Sequence, residues 1–204
     1  MASWDRPPVG TPIQDFFETW LPAAFEATSR HAPANAPIVR ATLTGPGGGS
    51  WDLRAEDDRL VVERAVVRDA PDVWLRQPAT DLRAAFDGDP DLPPLIPPGW
   101  SALDLLFLDP RDIDLLRQVS GRVLVEIAGR RGRRWSFDAA FGKAGVAAGR
   151  PRTTVRLDGG TFEGMQAGTI PPMQALLEGR LSIEGDRALA MQLLLLLGSR
   201  LGRR

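Results

Sequence analysis

Acid–base chemistry in this chain would have to run on carboxylates. The 204 residues include no cysteine, no tyrosine and a single histidine, His31. Thiolate nucleophiles, disulfides and cysteine-type zinc sites are excluded together. A multi-histidine metal centre within one chain goes with them, so no metal and no cofactor are expected. His31 follows the first helical segment in S-R-H-A-P and reads as a solvated loop residue. No G-x-S-x-G is present to make a serine nucleophile elbow. Among the carboxylates, Glu163 and Glu178 fall on short helical segments from which they could reach a cavity mouth. Glu126 and Glu184 alternate onto the wet side of strands. No two are placed to act as an acid/base pair. The glycine-rich run Gly45 to Ser50 is not followed by Gly-Lys-Ser/Thr, so it lacks the residues that touch phosphate and magnesium and reads as a hairpin turn.

The chain's emphasis is apolar instead. Gln192 is the only polar residue between Ala188 and Leu197, and Leu193 to Leu197 is an unbroken leucine run. A helix that is apolar all round must be covered all round. The elements leading to it are legible. Asp109 and Pro110 open a helix that runs to about Gln118. Strands are expected near 122–128, 134–141, 143–148 and 153–158, with Val123, Val125, Ile127, Trp135, Phe137, Ala139, Phe141, Val155 and Leu157 on one dry face. Glu126, Ser136, Asp138 and Arg156 share the other face. Short helices follow at 160–167 and 172–178. Leu181 and Ile183 mark a fifth strand, and Asp186 caps the final helix.

The first half repeats this order. An offset of 84 sets Val39 on Val123, Gly45 on Gly129, Trp51 on Trp135 and Ala55 on Ala139. With a small shift, Asp72-Val73-Trp74-Leu75 meets Thr154-Val155-Arg156-Leu157. Strands are expected near 38–44, 50–56, 59–67 and 72–76, after a helix from Ile13 to Ser29 bent at Pro22 and before a helix near 79–87. The first copy then departs into a stiff connector with five prolines over 90–99 and a helix near 101–108. It has no counterpart of the fifth strand or of the leucine-rich helix. The expected divisions are a tail over 1–11, a degenerate copy over 12–89, the connector over 90–108 and a complete copy over 109–204.

The complete copy resembles the sterol carrier protein 2 (SCP2) family. The likeness rests on Trp135, Thr154, Val155, Phe162, Gly168, the run A-L-L-E-G-R-L-S-I-E-G-D from Ala175 to Asp186, and Ala188 through Leu193. The resemblance implies an α+β domain with a mainly antiparallel five-stranded sheet, covered on one face by helices and here present twice. It also implies an apolar tunnel between sheet and helices for lipids, sterols, fatty acyl chains or similar molecules. By position, Phe137, Phe162, Met165, Met173, Leu176, Leu177, Met191, Leu194 and Leu195 would line it. The methionines supply deformable, polarisable walls. The implied function is non-catalytic binding or carriage of a lipophilic small molecule. The alternatives are an accessory protein for enzymes of lipid or quinone metabolism, and an enzyme that uses the cavity on an apolar substrate.

Charge narrows the partners. The formal net charge is −1, which gives no sign of a nucleic-acid binder. No stretch reaches the roughly 18 apolar residues of a membrane span, and no signal peptide is legible, so a cytoplasmic location is expected. The Ala-, Arg-, Gly- and Pro-rich composition points to a GC-rich bacterial source. The four arginines of Arg130-Arg131-Gly132-Arg133-Arg134 read as a solvated hairpin turn, with contact to anionic headgroups as the alternative. Arg200, Arg203 and Arg204 leave transient contact with a membrane surface open. Trp74 alternates onto the wet side of its strand, which points to packing against the other repeat or the connector.

Overall fold

The structure is a computed structural model that describes residues 7–27, 31–66, 70–94, 110–142 and 153–193. Among these residues eight strands are formed: β1 (Val39–Thr44), β2 (Gly49–Glu56), β3 (Arg59–Arg64), β4 (Val73–Pro78), β5 (Gly121–Ala128), β6 (Arg134–Phe141), β7 (Thr153–Asp158) and β8 (Leu181–Gly185). They lie in one sheet of order β3-β2-β1-β4-β6-β5-β7-β8. A five-stranded sheet and a second, degenerate copy lacking the fifth strand were expected; the described residues instead form a single eight-stranded mixed sheet. β1 and β4 are parallel, as are β5 and β7, and the other neighbours are antiparallel. The strand expected near 143–148, the helix near 101–108 and the Asp109 cap lie outside the described residues.

The two halves are joined by β4 against β6, with Val73 opposite Phe141 and Leu75 opposite Ala139. β6 therefore gives β4 the antiparallel neighbour that β8 gives β7. The first half needs no fifth strand of its own, because the second half supplies one. The pairing also corrects two alignments by two residues each. Val39 faces Val73 and Val123 faces Thr153 across the parallel pairs. The strand position of Val73 is thus that of Thr153, and Arg76, not Trp74, matches Arg156. In the hairpins, Ala41 faces Trp51 and Val125 faces Phe137. Trp51 therefore corresponds to Phe137, and the turn after β5 is two residues longer than the turn after β1.

Helices cover the apolar face. The first helical run consists of α1 (Ile13–Asp15), a π-helical turn (Phe16–Trp20) and α2 (Leu21–Ala27). Pro22 lacks an N–H and its ring crowds the carbonyl four residues back, so the chain widens just before it: the Leu21 N–H reaches the Phe16 carbonyl. This run buries Ile13, Phe16, Phe17, Leu21 and Phe25 against Trp51, Leu53, Leu60 and their neighbours. Rings fill the space: Phe17 stacks on Trp51 at 4.4 Å, and Phe16 meets Phe86 at 4.3 Å and Trp20 at 5.4 Å. α3 (Ala79–Asp87) and α4 (Pro110–Gln118) add Leu82, Ile113 and Leu116 to the same core. α5 (Gly159–Gln166), α6 (Pro172–Leu177) and the final helix α7, described over 187–193, cover the second half.

α5 is capped by Asp158, whose carboxylate accepts the Thr161 N–H at 2.8 Å and the Thr161 hydroxyl at 2.9 Å. Chiefly the Thr161 backbone N–H holds this carboxyl below the usual aspartate range. A lowered folded-state pKa means stabilisation that is full above the unfolded value and lost as pH falls through the folded one. Asp158→Ala is therefore expected to cost about 1 kcal/mol at pH 7, with the difference from wild type shrinking below about pH 4. Urea titrations at both pH values check this; a cost independent of pH would contradict it.

Candidate functional site

The described residues of the second half line a cleft of about 390 Å³, open to solvent on one side, where α6, β8 and α7 meet. Its wall is Leu176 from α6, Leu181, Ser182 and Ile183 from β8, and Arg187 and Met191 from α7. β8 is an edge strand, so the cleft lies at the margin of the sheet. The volume falls within the roughly 300–1,000 Å³ of small-molecule pockets, at the lower end. Four of the six wall residues are apolar; Ser182 and Arg187 are the polar two. Among the described residues, no group of three or more His, Asp or Glu is gathered to hold a metal ion.

The cleft falls inside a stretch, residues 103–197, that matches the SCP-2 sterol transfer family. These residues form an SCP2 domain. Among known proteins, the chain is 36% identical over 76 residues to hydroxysteroid dehydrogenase-like protein 2 of Xenopus tropicalis, covering 35% of this chain and 18% of that one. It is 32% identical over 89 residues to the Xenopus laevis protein of the same name, covering 42% and 21%. The chain thus spans about a fifth of the length of these relatives. Solved structures similar to it include the sterol carrier protein domain 2 of Helicoverpa armigera, at 20% identity and a TM-score of 0.35, covering 47% of this chain and 78% of that one. They also include sterol carrier protein 2 of Yarrowia lipolytica in its apo form, at 14% identity and a TM-score of 0.34, covering 47% and 83%.

The nine residues expected to line a tunnel fall into four groups. Leu176 and Met191 are on the cleft wall of the SCP2 domain. Phe137, Phe162 and Met165 pack into the core: Phe137 lies edge-on to Trp135 at 5.4 Å, while Phe162 and Met165 rest on Ile127 and Leu157 together with Ala85 and Leu92. Met173 and Leu177 face solvent, Leu177 at 82% exposure. These two stand four residues apart on α6, whose inward face is set by Ala175. Leu194 and Leu195 lie outside the described residues. Leu181, Ile183 and Arg187 are wall residues that the tunnel assignment omitted. Leu181 and Ile183 were legible as a strand, but only knowledge that β8 is the sheet edge turns them into a wall.

The carboxylates once considered for acid–base work are engaged elsewhere or lie on the surface. Glu163 is exposed. Glu178 accepts from Gln174 and pairs with Arg180 at 3.0 Å. Glu126 and Glu184 flank Arg156 on the polar face of the sheet, and the two hold its guanidinium above its ordinary pKa, Glu184 most strongly. The same face carries Asp138 between Arg122 and Arg76, and Arg40 on Asp52 at 2.6 Å. This polar face is cross-linked by ion pairs from strand to strand.

The arginine-rich turn is more than a solvated loop. Arg133 donates to Asp81 at 2.9 Å and to Asp89 at 3.0 Å. Burial works to lower its pKa, but the Asp89 and Asp81 bonds more than offset this, and the guanidinium ends above its ordinary value. Asp89 is held below its ordinary range by the Asp91 N–H first and Arg133 second. Arg130, Arg131 and Arg134 remain exposed. Among the described residues, Trp74 is engaged within the sheet. Its indole N–H donates to Thr42 at 2.8 Å, Arg76 lies 4.6 Å over its ring, and Ala140 of β6 faces it across the join.

Proposed function

We propose that the protein binds a lipophilic small molecule in the cleft between β8, α6 and α7, without catalysing a reaction on it. The observation that carries this reading is the apolar wall of Leu176, Leu181, Ile183 and Met191 within the SCP2 domain. Sheltering about 200 Å² of alkyl or ring surface there contributes roughly 5 kcal/mol before ordering costs are subtracted. The first half is the structural partner of this site. Its own space between helices and sheet is filled by Phe16, Phe17, Trp20, Trp51 and Phe86. We read it as a duplicated copy, over 12–89, that kept the strand order and gave up the cavity.

Native mass spectrometry of the purified chain, followed by organic extraction, tests whether a lipid is carried. Titration with the neutral methyl ester of cis-parinaric acid measures affinity directly. Leu176→Trp places an indole in the cleft at a half-buried position and is expected to weaken the ester at least tenfold with an unchanged melting temperature. Unchanged affinity would remove this cleft from the site.

A second reading has one observation in its favour. The relatives named hydroxysteroid dehydrogenase-like protein 2 are about five times longer than the matched stretch. A domain of this kind therefore occurs within larger proteins with such a name, as an accessory module that presents a lipophilic substrate would. A stable complex with a dehydrogenase, together with weak binding of the ester by the isolated chain, would favour it.

A further inference from the structure

Among the described residues, Arg187 is the one charged residue on a cleft wall that is otherwise apolar but for Ser182. The carboxylates near it in sequence are committed to other partners. Glu184 holds Arg156, Glu178 holds Arg180, and Asp186 accepts the Leu189 N–H at 3.1 Å as the cap of α7. Among the described residues, Arg187 has no ion pair or hydrogen bond. Its side chain stands at the exposed start of α7, while Met191, one turn further on, lies deeper on the same wall. A guest on this wall therefore meets a cation at one end and hydrocarbon at the other.

We infer that Arg187 selects the guest's headgroup: the cleft prefers a single-chain amphiphile with an anionic head over a neutral lipid of the same chain. The inference rests on the proposed binding of a lipophile in this cleft. The alkyl chain lies along Leu176, Leu181, Ile183 and Met191, and the head accepts hydrogen bonds from the guanidinium. Arginine suits this role because its planar fork meets a carboxylate or a phosphate with two parallel donors. The apolar wall on one side leaves the pair less screened than one in open water.

The test compares cis-parinaric acid with its methyl ester on the full chain at pH 7.5, where the acid is ionised and the ester is neutral. The wild type is expected to bind the acid about tenfold more tightly, a difference of about 1.4 kcal/mol. Arg187→Gln is expected to bring the two within about twofold, Arg187→Lys to keep most of the preference, and Arg187→Glu to reverse it. The preference should also fall between 50 and 500 mM salt. Competition by a long-chain alkyl phosphate and by a saturated fatty acid then tells a phosphate head from a carboxylate head. Displacement by either, at about a tenth of the concentration that the alkyl alcohol needs, is expected. Equal affinity for acid and ester in the wild type, or a preference that survives Arg187→Gln, overturns the inference while leaving the cleft as a lipid site. If neither probe binds, the cleft reading itself fails.

Discussion

Trp51→Ala is expected to lower the free energy of unfolding by about 3–5 kcal/mol. Trp51 is 1% exposed and sits at the centre of the first half. Its ring stacks on Phe17, and Arg64 lies 4.6 Å over the same ring. Its indole N–H donates to Glu18 at 2.9 Å, and Glu18 also pairs with Arg64 at 2.8 Å. The indole N–H is the leading cause that holds the Glu18 carboxyl below its ordinary range. Alanine at this position leaves a void under the π-helical turn and removes the donor that anchors the turn to β2. For a chain of this length the cost corresponds to a fall in melting temperature of roughly 10 °C. Urea unfolding should show a lower midpoint with an unchanged slope, because one continuous sheet unfolds as a unit. A loss under 1 kcal/mol, or a second transition in which the SCP2 domain survives alone, would contradict this account. Trp51→Phe, which restores most of the volume without the N–H, is expected to recover more than half of the loss.

How much of this was readable in advance depends on the kind of error each signal can detect. Alternation identified the dry faces of β4 to β8 because a one-residue slip would send Val123, Val125 and Ile127 into water. A slip of two residues leaves every side chain on its own face. The two misalignments, Trp51 on Trp135 and Val73 on Val155, were both slips of this silent kind. The Arg76–Arg156 correspondence was hidden for the same reason. The join of β4 to β6 was hidden more deeply. Each half displays a plausible sheet of its own, and nothing local in D-V-W-L or W-S-F-D-A-A-F says that one will pair with the other. The expectation of two sheets followed from that gap.

The site was partly legible. Leu176 and Met191 were expected on the wall because they stand on the helices before and after the G-R-L-S-I-E-G-D strand. Leu177 was expected beside them because the leucine pair carries no sign of which member faces inward. The helix answers this through Ala175, which is fully buried and turns Leu177 out to solvent. Nothing in the local sequence singles out Arg187, an arginine next to the Asp186 cap. Its significance lies in what its neighbours are doing, and those partnerships span strands about 30 residues apart in sequence, as in Arg156 with Glu126.

Asp81→Ala is expected to loosen the join between the halves, at a cost of about 2–3 kcal/mol. Asp81 belongs to α3 of the first half and is 5% exposed. The recorded β4–β6 pairing ends at Arg76 opposite Asp138, so the Ser136 N–H lies beyond the last paired residue of β4. The Asp81 carboxylate accepts that N–H at 3.1 Å and the Arg133 guanidinium at 2.9 Å, while the Asp81 carbonyl accepts the Trp135 indole at 2.9 Å. One residue thus extends the ladder past its last rung and fixes the turn that follows β5. Alanine leaves a main-chain N–H and part of a guanidinium without an acceptor, each costing about 1–3 kcal/mol if buried. The side chain of Arg133 is 31% exposed and recovers part of its share from water. Asp81→Asn keeps one acceptor but turns an amide donor toward the other donor, so it should fall between alanine and wild type. Arg133→Ala should cost less than Asp81→Ala, because the Ser136 N–H keeps its partner, and the double mutant should fall short of the sum by more than 0.5 kcal/mol. Hydrogen exchange gives the local readout: the Ser136 amide should lose protection in Asp81→Ala and keep it in Arg133→Ala. Equal protection in both variants, with stabilities within 0.5 kcal/mol of wild type, would mean that the halves are held by β4 and β6 alone. The expected result has a consequence for binding. Trp135 packs with Phe162 and Met165 over Ile127, so a loosened Asp81 reaches α5 of the SCP2 domain through one ring. A weakened affinity for the methyl ester probe in Asp81→Ala, at a temperature where the variant remains folded, would show that the first half supports the site through this contact.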